Sequence, residues 1–512
     1  MTVYTCTTKG SSSYRSPQGD IVTEPSYNIL SYTWGRFRAG GVSAGCAVNV
    51  TGIHWDIPAI DPAKGFDAER FKNILQLVAG ENDFVWVDVA CIDQKEDSQE
   101  KKDQIGKQVG IFHRAQTAFI WLHQLSTRTL QNGIHAVAEA KNAESPTGDQ
   151  VRSIEALTQD PWFSSLWTLQ EAYLRKSAIL LSNNGSAIPI SSVDVATLQW
   201  LVNACACPWA QGTGYINTIV QTAGLNRISA RNPVVLLAAA RYRQTSRPFD
   251  RIYGIMQIFG LDLHKTRLPD STESEDLPLS VLDLELELSQ ELNKRSPALA
   301  QTFVHLDRAP ADQAWSLRLG VFTPATRSQH GTFQRPGLDF LQLVPQDFYD
   351  VGEDQDFGRR ASISFVRGVP IFHGYSIPFE NLLAAWEVEL PEHQPSPDLD
   401  AWMPYMNDLT HSIYMDNVTH IHGMEEVHRV PSQFSKFDRP LIIARDLATL
   451  FSSRLRVLLL GKLKDGMSEV YMGIICIEER REQAMSPKWS RVGICTWSQH
   501  LEHLEEFTCC LG

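Results

Sequence analysis

Between residues 27 and 183, short apolar runs are separated by stretches with helical spacing of apolar residues. The apolar runs cover residues 27–34, 83–88, 117–122 and 178–181, and each has the length of a buried β-strand. Strands that alternate with helices in this way form parallel sheets, because each crossover helix packs on a face of the sheet. The pattern therefore predicts an α/β fold with a mainly parallel sheet flanked by helices.

Helical spacing is clearest between the first two predicted strands. A helix is predicted between these strands, and Gly80 fits its C-cap. The buried face of this helix is marked by four apolar residues at helical spacing: Phe71, Ile74, Leu75 and Val78. After the second strand, a helix is predicted over residues 105–112, with Asp97 or Ser98 as its N-cap. These helices supply the crossovers that a parallel sheet needs.

One short stretch, residues 160–171, combines a helix-start signal with tryptophans and a carboxylate. Asp160 followed by Pro161 predicts the start of a helix. On the helix that follows, Trp167 and Glu171 are four residues apart and therefore share one face. Two interpretations fit: an ionisable group held at the wall of a pocket, or a tryptophan anchor beside a solvated glutamate.

The chain is too long for one hydrophobic core, since 512 residues exceed the size at which chains divide into domains. We predict an N-terminal tail, the α/β domain, a helical extension of it, an acidic proline-flanked linker and a C-terminal α+β domain, over residues 1–23, 24–183, 184–267, 268–280 and 281–512 in turn. In the last region we predict a helix and three hairpin strands, over residues 282–294, 454–460, 470–477 and 492–497.

Composition and charge narrow the classes of function. Hydrophobic residues make up 43% of the chain and charged residues 21%, as in a folded globular protein, and a net charge of −13 disfavours nucleic acid as the main partner. The longest apolar run, residues 234–240, is too short to span a membrane, and the N terminus lacks a secretory signal. Nine cysteines, an odd number in a large chain, predict reduced thiols, so the expected location is the cytoplasm.

Three polar segments lie where parallel sheets bind ligands, at the carboxyl ends of the predicted strands. They are residues 31–36, residues 88–94 and the helix that carries Trp167 and Glu171. We expect them to converge on one cleft, lined by Ser31, Asp88 and Glu171. The candidate binding residues in these segments are Ser31, Tyr32, Trp34, Gly35, Arg36, Asp88, Cys91, Asp93 and Trp167.

Several of these residues also have an ordinary structural interpretation. Asp88 fits a capping or hydrogen-bonding residue, Gly35 fits a plain turn, and Cys91, which has no basic neighbour in sequence, fits a packed thiol better than a nucleophile. The sequence contains no Gly-x-Gly-x-x-Gly after a strand, no phosphate loop, no His-Glu-x-x-His and no Gly-x-Ser-x-Gly. We therefore expect neither a metal ion nor a bound cofactor.

The same three segments resemble the signature blocks of the fungal heterokaryon-incompatibility (HET) domain. The blocks are residues 29–35 (Ile-Leu-Ser-Tyr-Thr-Trp-Gly), residues 85–94 (Val-Trp-Val-Asp-Val-Ala-Cys-Ile-Asp-Gln) and residues 162–171. Residues 250–254 (Asp-Arg-Ile-Tyr-Gly) are similar to a segment that often follows that domain. The resemblance covers residues 24–262, and it implies a role in nonself recognition and programmed cell death.

The HET domain is in turn similar to the Toll/interleukin-1 receptor (TIR) fold, and the order of elements predicted here fits that fold. Plant-type TIR domains carry a Trp-Cys-Leu-x-Glu-Leu run whose glutamate is catalytic in NAD cleavage. The matching residue in this chain is Glu171, with Trp167 one turn before it. The resemblance therefore implies Glu171 as the catalytic residue and NAD or another nucleotide as the ligand, as substrate rather than cofactor.

Two other functions fit the same residues. In one, the protein is not catalytic and its TIR-like surfaces mediate assembly, by self-association or with a partner incompatibility protein. Glu171 then has a structural role, as a capping residue or as one member of a polar pair. In the other, a HET-type fold acts as an enzyme on a different substrate, such as a biosynthetic intermediate. A fall in NAD cleavage on removal of the Glu171 charge would separate the catalytic function from the assembly function.

Overall fold

The computed structural model describes about three fifths of the chain, in segments that include every element named below: residues 13–15, 21–23, 26–33, 50, 53–64, 66–82, 84–94, 104–105, 107–140, 146–205, 219–220, 222–228, 234–245, 247–256, 258, 261, 280–295, 297–305, 307, 313–319, 321–322, 348–349, 361–389, 412–416, 438–465, 468–479, 487–497 and 504–512. The chain forms two compact units. The first unit is Met1–Ser229 with Tyr242–Ser246, and the second unit is Ala230–Arg241 with Arg247–Gly512. Nearly all of the predicted linker, residues 268–280, lies outside the described residues.

The first unit contains a short hairpin and a four-stranded sheet. In the hairpin, β1 pairs antiparallel with β2; in the sheet, all strands are parallel and the order is β4-β3-β5-β6. The strands are β1 (Ser13–Arg15), β2 (Ile21–Thr23), β3 (Asn28–Ser31), β4 (Val85–Trp86), β5 (Ala118–Trp121) and β6 (Ile179–Leu181). The predicted parallel sheet with flanking helices is confirmed.

The order of strands reverses direction at β3. The chain goes from β3 to β4 on one side of it and then to β5 on the other side. Helices that leave neighbouring strands in opposite directions separate at such a point, and ligands of open α/β sheets bind there. Ser31, the last residue of β3, pairs in register with Ile120 of β5 at this position.

Helices α1 to α8 belong to the first unit. They are α1 (Ala68–Ala79), α2 (Asp88–Cys91), α3 (Gln108–Arg114), α4 (Thr127–Ala140), α5 (Gly148–Thr158), α6 (Trp167–Leu174), α7 (Leu198–Cys205) and α8 (Leu225–Ile228). Short 3-10 turns cover Pro62–Lys64, Gly80–Asn82 and Pro161–Ser164. Helices α4 and α5 pack closely, with Gly133 against Leu157, and no prediction covered them.

Helix α1 follows its sequence signals closely. Asp67 caps its start by accepting the backbone N–H groups of Glu69 and Arg70, and Gly80 ends it with φ of 55°, a conformation that suits glycine. The buried face consists of the four predicted residues, Phe71, Ile74, Leu75 and Val78. The prediction of this helix is confirmed. Helix α3 begins later than predicted, and its predicted caps, Asp97 and Ser98, lie outside the described residues.

The helix predicted to start at Asp160 is interrupted. Asp160 caps only the turn Pro161–Ser164, and Ser165 is extended before α6 begins. The Leu166 N–H, which a continuous helix would bond to the Trp162 carbonyl, donates instead to the Gln244 carbonyl at 3.1 Å. The signal for the start was therefore right, but a long-range backbone pairing overrides its continuation.

The second unit contains the remaining helices and strands. Its helices are α9 (Val234–Ala240), α10 (Asp250–Met256), α11 (Val281–Arg295), α12 (Pro297–Ala300), α13 (Phe379–Glu389) and α14 (Asp438–Phe451), followed by a 3-10 turn at Ser452–Arg454. Its strands are β7 (Val304–His305), β8 (Val321–Phe322), β9 (Phe348–Tyr349), β10 (Ser362–Val366), β11 (Val369–Pro378), β12 (Ser412–Met415), β13 (Leu455–Asp465), β14 (Ser468–Glu479), β15 (Lys488–Trp497) and β16 (Glu505–Leu511). Within the described ranges, no helix combines the length and the apolar character needed to cross a lipid bilayer.

A mixed sheet that closes on itself organises the second unit. The strand β11 pairs with β16 along one edge and with β13 along the other, so that β11, β16, β15, β14 and β13 form a ring. Helices α13 and α14 cover it, with Trp386 and Leu447 in the same hydrophobic core as Ile475 and Trp497. The predicted helix over residues 282–294 and the three predicted hairpin strands are confirmed as α11, β13, β14 and β15.

A buried ion pair ties the sheet of the second unit to the segments around it. Arg491 on β15 and Asp416 after β12 are both 0% exposed, and Arg491 Nε lies 3.1 Å from Asp416 Oδ2. The backbone N–H of His305 donates to the other Asp416 oxygen at 2.8 Å, and Gln301 accepts from the Arg491 guanidinium at 2.7 Å. Each charge has several partners, which a buried ion pair requires.

We predict that Asp416→Asn destabilises the second unit by about 3–5 kcal/mol, because it leaves the Arg491 guanidinium buried without its counter-charge. The measurement is the free energy of unfolding in urea. Arg445→Met is the control, because it breaks an ion pair at the surface. The side chains of Arg445 and Glu387 are 46% and 43% exposed, so this variant should lose less than about 1 kcal/mol in the free energy of unfolding. Equal losses in the two variants would contradict the central place given to the buried pair.

Candidate functional site

The candidate site lies at the carboxyl end of β3, where the order of strands reverses. Ser31 ends this strand and is 4% exposed, and Tyr32 and Thr33, which follow it, are also buried. Helix α6 brings Glu171 to the same place, where the Ser31 hydroxyl donates a hydrogen bond to Glu171 Oε2. Two of the predicted polar segments therefore meet, although 140 positions separate them in the sequence.

A tryptophan completes a chain of hydrogen bonds to this carboxyl group. The indole Nε1–H of Trp162, which is fully buried, donates to Ser31 Oγ at 2.7 Å. An indole nitrogen can only donate, so the Ser31 oxygen accepts this bond and directs its own hydrogen toward Glu171. The donors thus run in order from Trp162 to Ser31 to Glu171.

A second carboxylate stands nearby, on α2. Asp88 is the first residue of that helix, and its Oδ1 accepts the N–H of Val89 at 2.6 Å. Burial raises the pKa of Asp88, while hydrogen bonds from Tyr32 and from the Val89 backbone oppose that rise. For Tyr32, burial raises the pKa most, and the negative charges of Asp88 and Glu171 raise it further. The Tyr32 hydroxyl therefore stays protonated and available as a donor.

The charge state of Glu171 is set by its surroundings. Burial raises the pKa of its carboxyl to about 8, the Ser31 hydrogen bond opposes this rise, and the negative charge of Asp88 adds to it. Among the groups of the described chain that act on Glu171 and Asp88, none is a lysine, arginine or histidine. Two neighbouring, partly buried carboxyl groups do not both ionise readily, so the raised pKa of Glu171 favours its protonated form at neutral pH.

Cys91 and Asp93 lie on the segment that begins with Asp88. Burial raises the pKa of the Cys91 thiol to about 11, and the Asp88 charge adds to that rise, so the thiol is protonated and suits packing rather than nucleophilic attack. Asp93 is 2% exposed, and its backbone N–H donates to Gln104 Oε1 at 2.5 Å. The cysteines of the described residues are free thiols.

The other predicted site residues are placed less directly. Trp167 is the first residue of α6, half-buried and one helical turn before Glu171 on the same face. Trp34, Gly35 and Arg36 lie outside the described residues. The structure thus brings together Ser31, Tyr32, Asp88 and Glu171, while the part that each residue takes in binding or catalysis stays a prediction.

Sequence reasoning missed two residues that shape the site. Trp162 lies within the third signature block, but on the turn before α6, so helical spacing does not relate it to Glu171. Arg243 is 1% exposed, and its guanidinium donates to the carbonyls of Trp162 and Ser165 at 3.0 and 3.1 Å. No sequence signal pointed to Arg243, because a buried arginine far along the chain belongs to no short motif.

A metal ion has no evident set of ligands at this site. Within the described part of the chain, no group of three or more His, Cys, Asp or Glu side chains could hold one. The arrangement instead offers two carboxyl groups and two hydroxyl donors. Chemically, it can place a negative charge beside a positively charged centre.

Residues 27–171 match the family model described as heterokaryon incompatibility protein (HET). The match begins one residue before β3 and ends at Glu171, so it contains all of the predicted site residues. Comparisons with curated proteins and with solved structures found no match. The similarity to the TIR fold stays a prediction, but the resemblance of the three signature blocks to the HET domain is confirmed, and residues 27–171 of the chain form a HET domain.

Proposed function

We propose that this HET domain cleaves the N-glycosidic bond of NAD or a related pyridinium nucleotide, with Glu171 as the catalytic residue. The family indicates a function of the heterokaryon incompatibility type, and we place the cleavage in nonself recognition and programmed cell death. The observation that supports the proposal is the pair of carboxyl groups of Glu171 and Asp88, which acts without a basic partner among the described residues.

The reaction suits a site of this kind because its leaving group is cationic. When the bond between ribose C1′ and the pyridinium nitrogen breaks, both electrons go to nitrogen and neutral nicotinamide departs. The ribosyl group becomes a cation, which a carboxylate stabilises as it does in glycosidases. Water then adds to C1′ and loses a proton, which gives ADP-ribose. No general acid is needed for the departure.

The neighbouring residues have matching tasks. Ser31 orients the Glu171 carboxyl by its hydrogen bond, and Asp88 adds a second negative charge near the positive ring. Trp167, half-buried one turn before Glu171, offers an aromatic face, and aromatic faces attract cations. A bound pyridinium ring favours the charged form of Glu171. Binding therefore releases the proton of the Glu171 carboxyl group.

We predict that Glu171→Gln lowers NAD cleavage by roughly two to three orders of magnitude, because it keeps the shape of the side chain and removes the stabilising charge. The measurement is nicotinamide release by the purified protein, alone and after forced oligomerisation. Glu81→Gln, an exposed glutamate on the turn after α1, is the control and should keep full activity.

Equal cleavage by the wild type and Glu171→Gln would end the catalytic role of Glu171. Absence of cleavage by the wild type, even when it is oligomerised, would favour the assembly function. In that case Glu171→Gln should change self-association instead.

The raised pKa of Glu171 also predicts how stability depends on pH. Between pH 4.5, the ordinary pKa of a glutamate, and about 8, the folded protein keeps a proton that the unfolded chain has released. The free energy of unfolding therefore falls as the pH rises through this window and levels off above it.

The glutamine side chain of Glu171→Gln has no carboxyl proton, so it does not titrate in this range of pH. The stability of this variant relative to wild type should therefore improve as the pH rises through the same window, by at most about 1.4 kcal/mol for each pH unit. Urea denaturation of both proteins across the window measures the difference. A difference that does not change with pH would show that the pKa of Glu171 is not raised.

A further inference from the structure

The Ser31 hydroxyl lies between one group that can only donate and one that can accept. Trp162 Nε1–H donates to Ser31 Oγ at 2.7 Å, and Ser31 Oγ in turn donates to Glu171 Oε2. Without the indole, the hydroxyl could rotate and accept a hydrogen bond from a protonated Glu171. With the indole, one of the two lone pairs of Ser31 Oγ is already occupied, and a second donor would place two hydrogens on one oxygen, so donation to Glu171 is favoured.

The backbone N–H of Trp162 is held from one side. Asp160 is 1% exposed, and its Oδ1 accepts this N–H at 2.9 Å. The other oxygen of Asp160 accepts the N–H of Gln124 at 3.0 Å, on the segment that follows β5. The carboxylate of Asp160 therefore fixes the turn that carries Trp162 to the carboxyl end of the sheet.

The carbonyl of Trp162 is held from the other side. The hydroxyl of Thr168, in the first turn of α6, donates to it at 2.5 Å, and Arg243 donates to it at 3.0 Å. Arg243 also donates to the Ser165 carbonyl at 3.1 Å and to the Ala223 carbonyl at 2.6 Å. Arg243 thus binds the turn of Trp162 to the start of the helix that carries Glu171, although it lies outside the residues that match the family.

We propose that Trp162 and Arg243 are positioning residues for Glu171. Trp162 keeps the Ser31 hydroxyl as a donor to the carboxylate, and Arg243 keeps the turn of Trp162 against α6. This role rests on the proposed function only in that Glu171 is the reactive group.

The effect should appear in the ionisation of Glu171. A hydroxyl that only donates stabilises the carboxylate over the neutral acid, and one that is free to rotate serves both forms. The other titratable groups that act on Glu171 are Asp88 from α2 and Tyr32 after β3, and neither contacts Trp162 in the hydrogen bonds described above. Loss of the indole donor should therefore favour the protonated acid while the rest of the charge environment stays the same.

The test is Trp162→Phe, which keeps an aromatic ring and removes the N–H. Trp121→Phe is the matched control, because Trp121 is also buried in the first unit but donates its indole N–H to the Asn183 carbonyl at 3.2 Å. The titration of Glu171 is followed by NMR in protein labelled with ¹³C at the glutamate side-chain carboxyl, and the Glu171 signal is assigned by its loss in Glu171→Gln.

We expect the midpoint of the Glu171 titration to rise by roughly one pH unit in Trp162→Phe and to stay in place in Trp121→Phe. The pH dependence of kcat/KM for nicotinamide release, which reports the free enzyme, should move with it through a change in KM, and kcat should change little. An unchanged midpoint in Trp162→Phe, or the same shift in both variants, would overturn the proposal. If the wild type cleaves no NAD, the proposed function fails, and the titration still decides the role of Trp162.

Arg243→Lys tests the second positioning residue. A lysine keeps the positive charge but lacks the planar fork that reaches several carbonyls at once. We expect the Glu171 midpoint to shift in the same direction as in Trp162→Phe, and the double variant to shift little further. A folded Arg243→Lys protein with an unchanged midpoint would remove Arg243 from the proposal, and if this variant does not fold, Trp162→Phe alone decides it.

Discussion

The hydrogen bond from Ser31 to Glu171 joins the end of the central strand β3 to helix α6, and the geometry of the candidate site depends on it. Ser31 is fixed by the parallel pairing of β3 with β5, and Glu171 is fixed by the hydrogen bonds that hold the start of α6. A serine in this position lies at the reversal of strand order, where parallel sheets leave a crevice. The fold thus brings a carboxyl group from a distant helix to the carboxyl end of the central strand.

The second constraint is electrostatic. Asp88 and Glu171 lie close enough for each negative charge to disfavour the other, and burial strengthens this effect because little water is present to screen it. Such a pair of carboxyl groups favours positive charge beside it. A bound proton supplies that charge on Glu171, and in the proposed function a cationic ligand supplies it instead. The proposed cleavage of a pyridinium nucleotide rests on this preference.

The sequence predicted the parts of the fold that local patterns determine. The strands of the parallel sheet, helix α1 with its Gly80 cap and three strands of the C-terminal sheet, β13, β14 and β15, were visible in the spacing of apolar residues. The break between Asp160 and α6 was not, because it results from pairing with Gln244, which no local pattern reveals. Helices α4 and α5 were overlooked although α5 begins with a capping box at Thr147 and Gln150.

The candidate site was predictable to a similar extent. Strand ends and motif blocks led to Ser31, Asp88 and Glu171, since parallel topology places such segments at one edge. The contribution of Trp162 and Arg243 depends on side-chain directions and on a long-range contact, and these follow only from the folded chain. Trp167 was given the part of the partner indole on helical spacing, whereas the indole that reaches the Ser31 hydroxyl belongs to Trp162.

The central claim is that the carboxyl pair holds a proton which a cationic nucleotide displaces. The most direct measurement is calorimetry of the wild type near pH 7 with a carbocyclic analogue of NAD, whose pyridinium cannot leave, in buffers of different ionisation enthalpy. The account predicts that binding releases close to one proton in the wild type and almost none in Glu171→Gln. Binding without proton release in the wild type, or no binding at all, would contradict it.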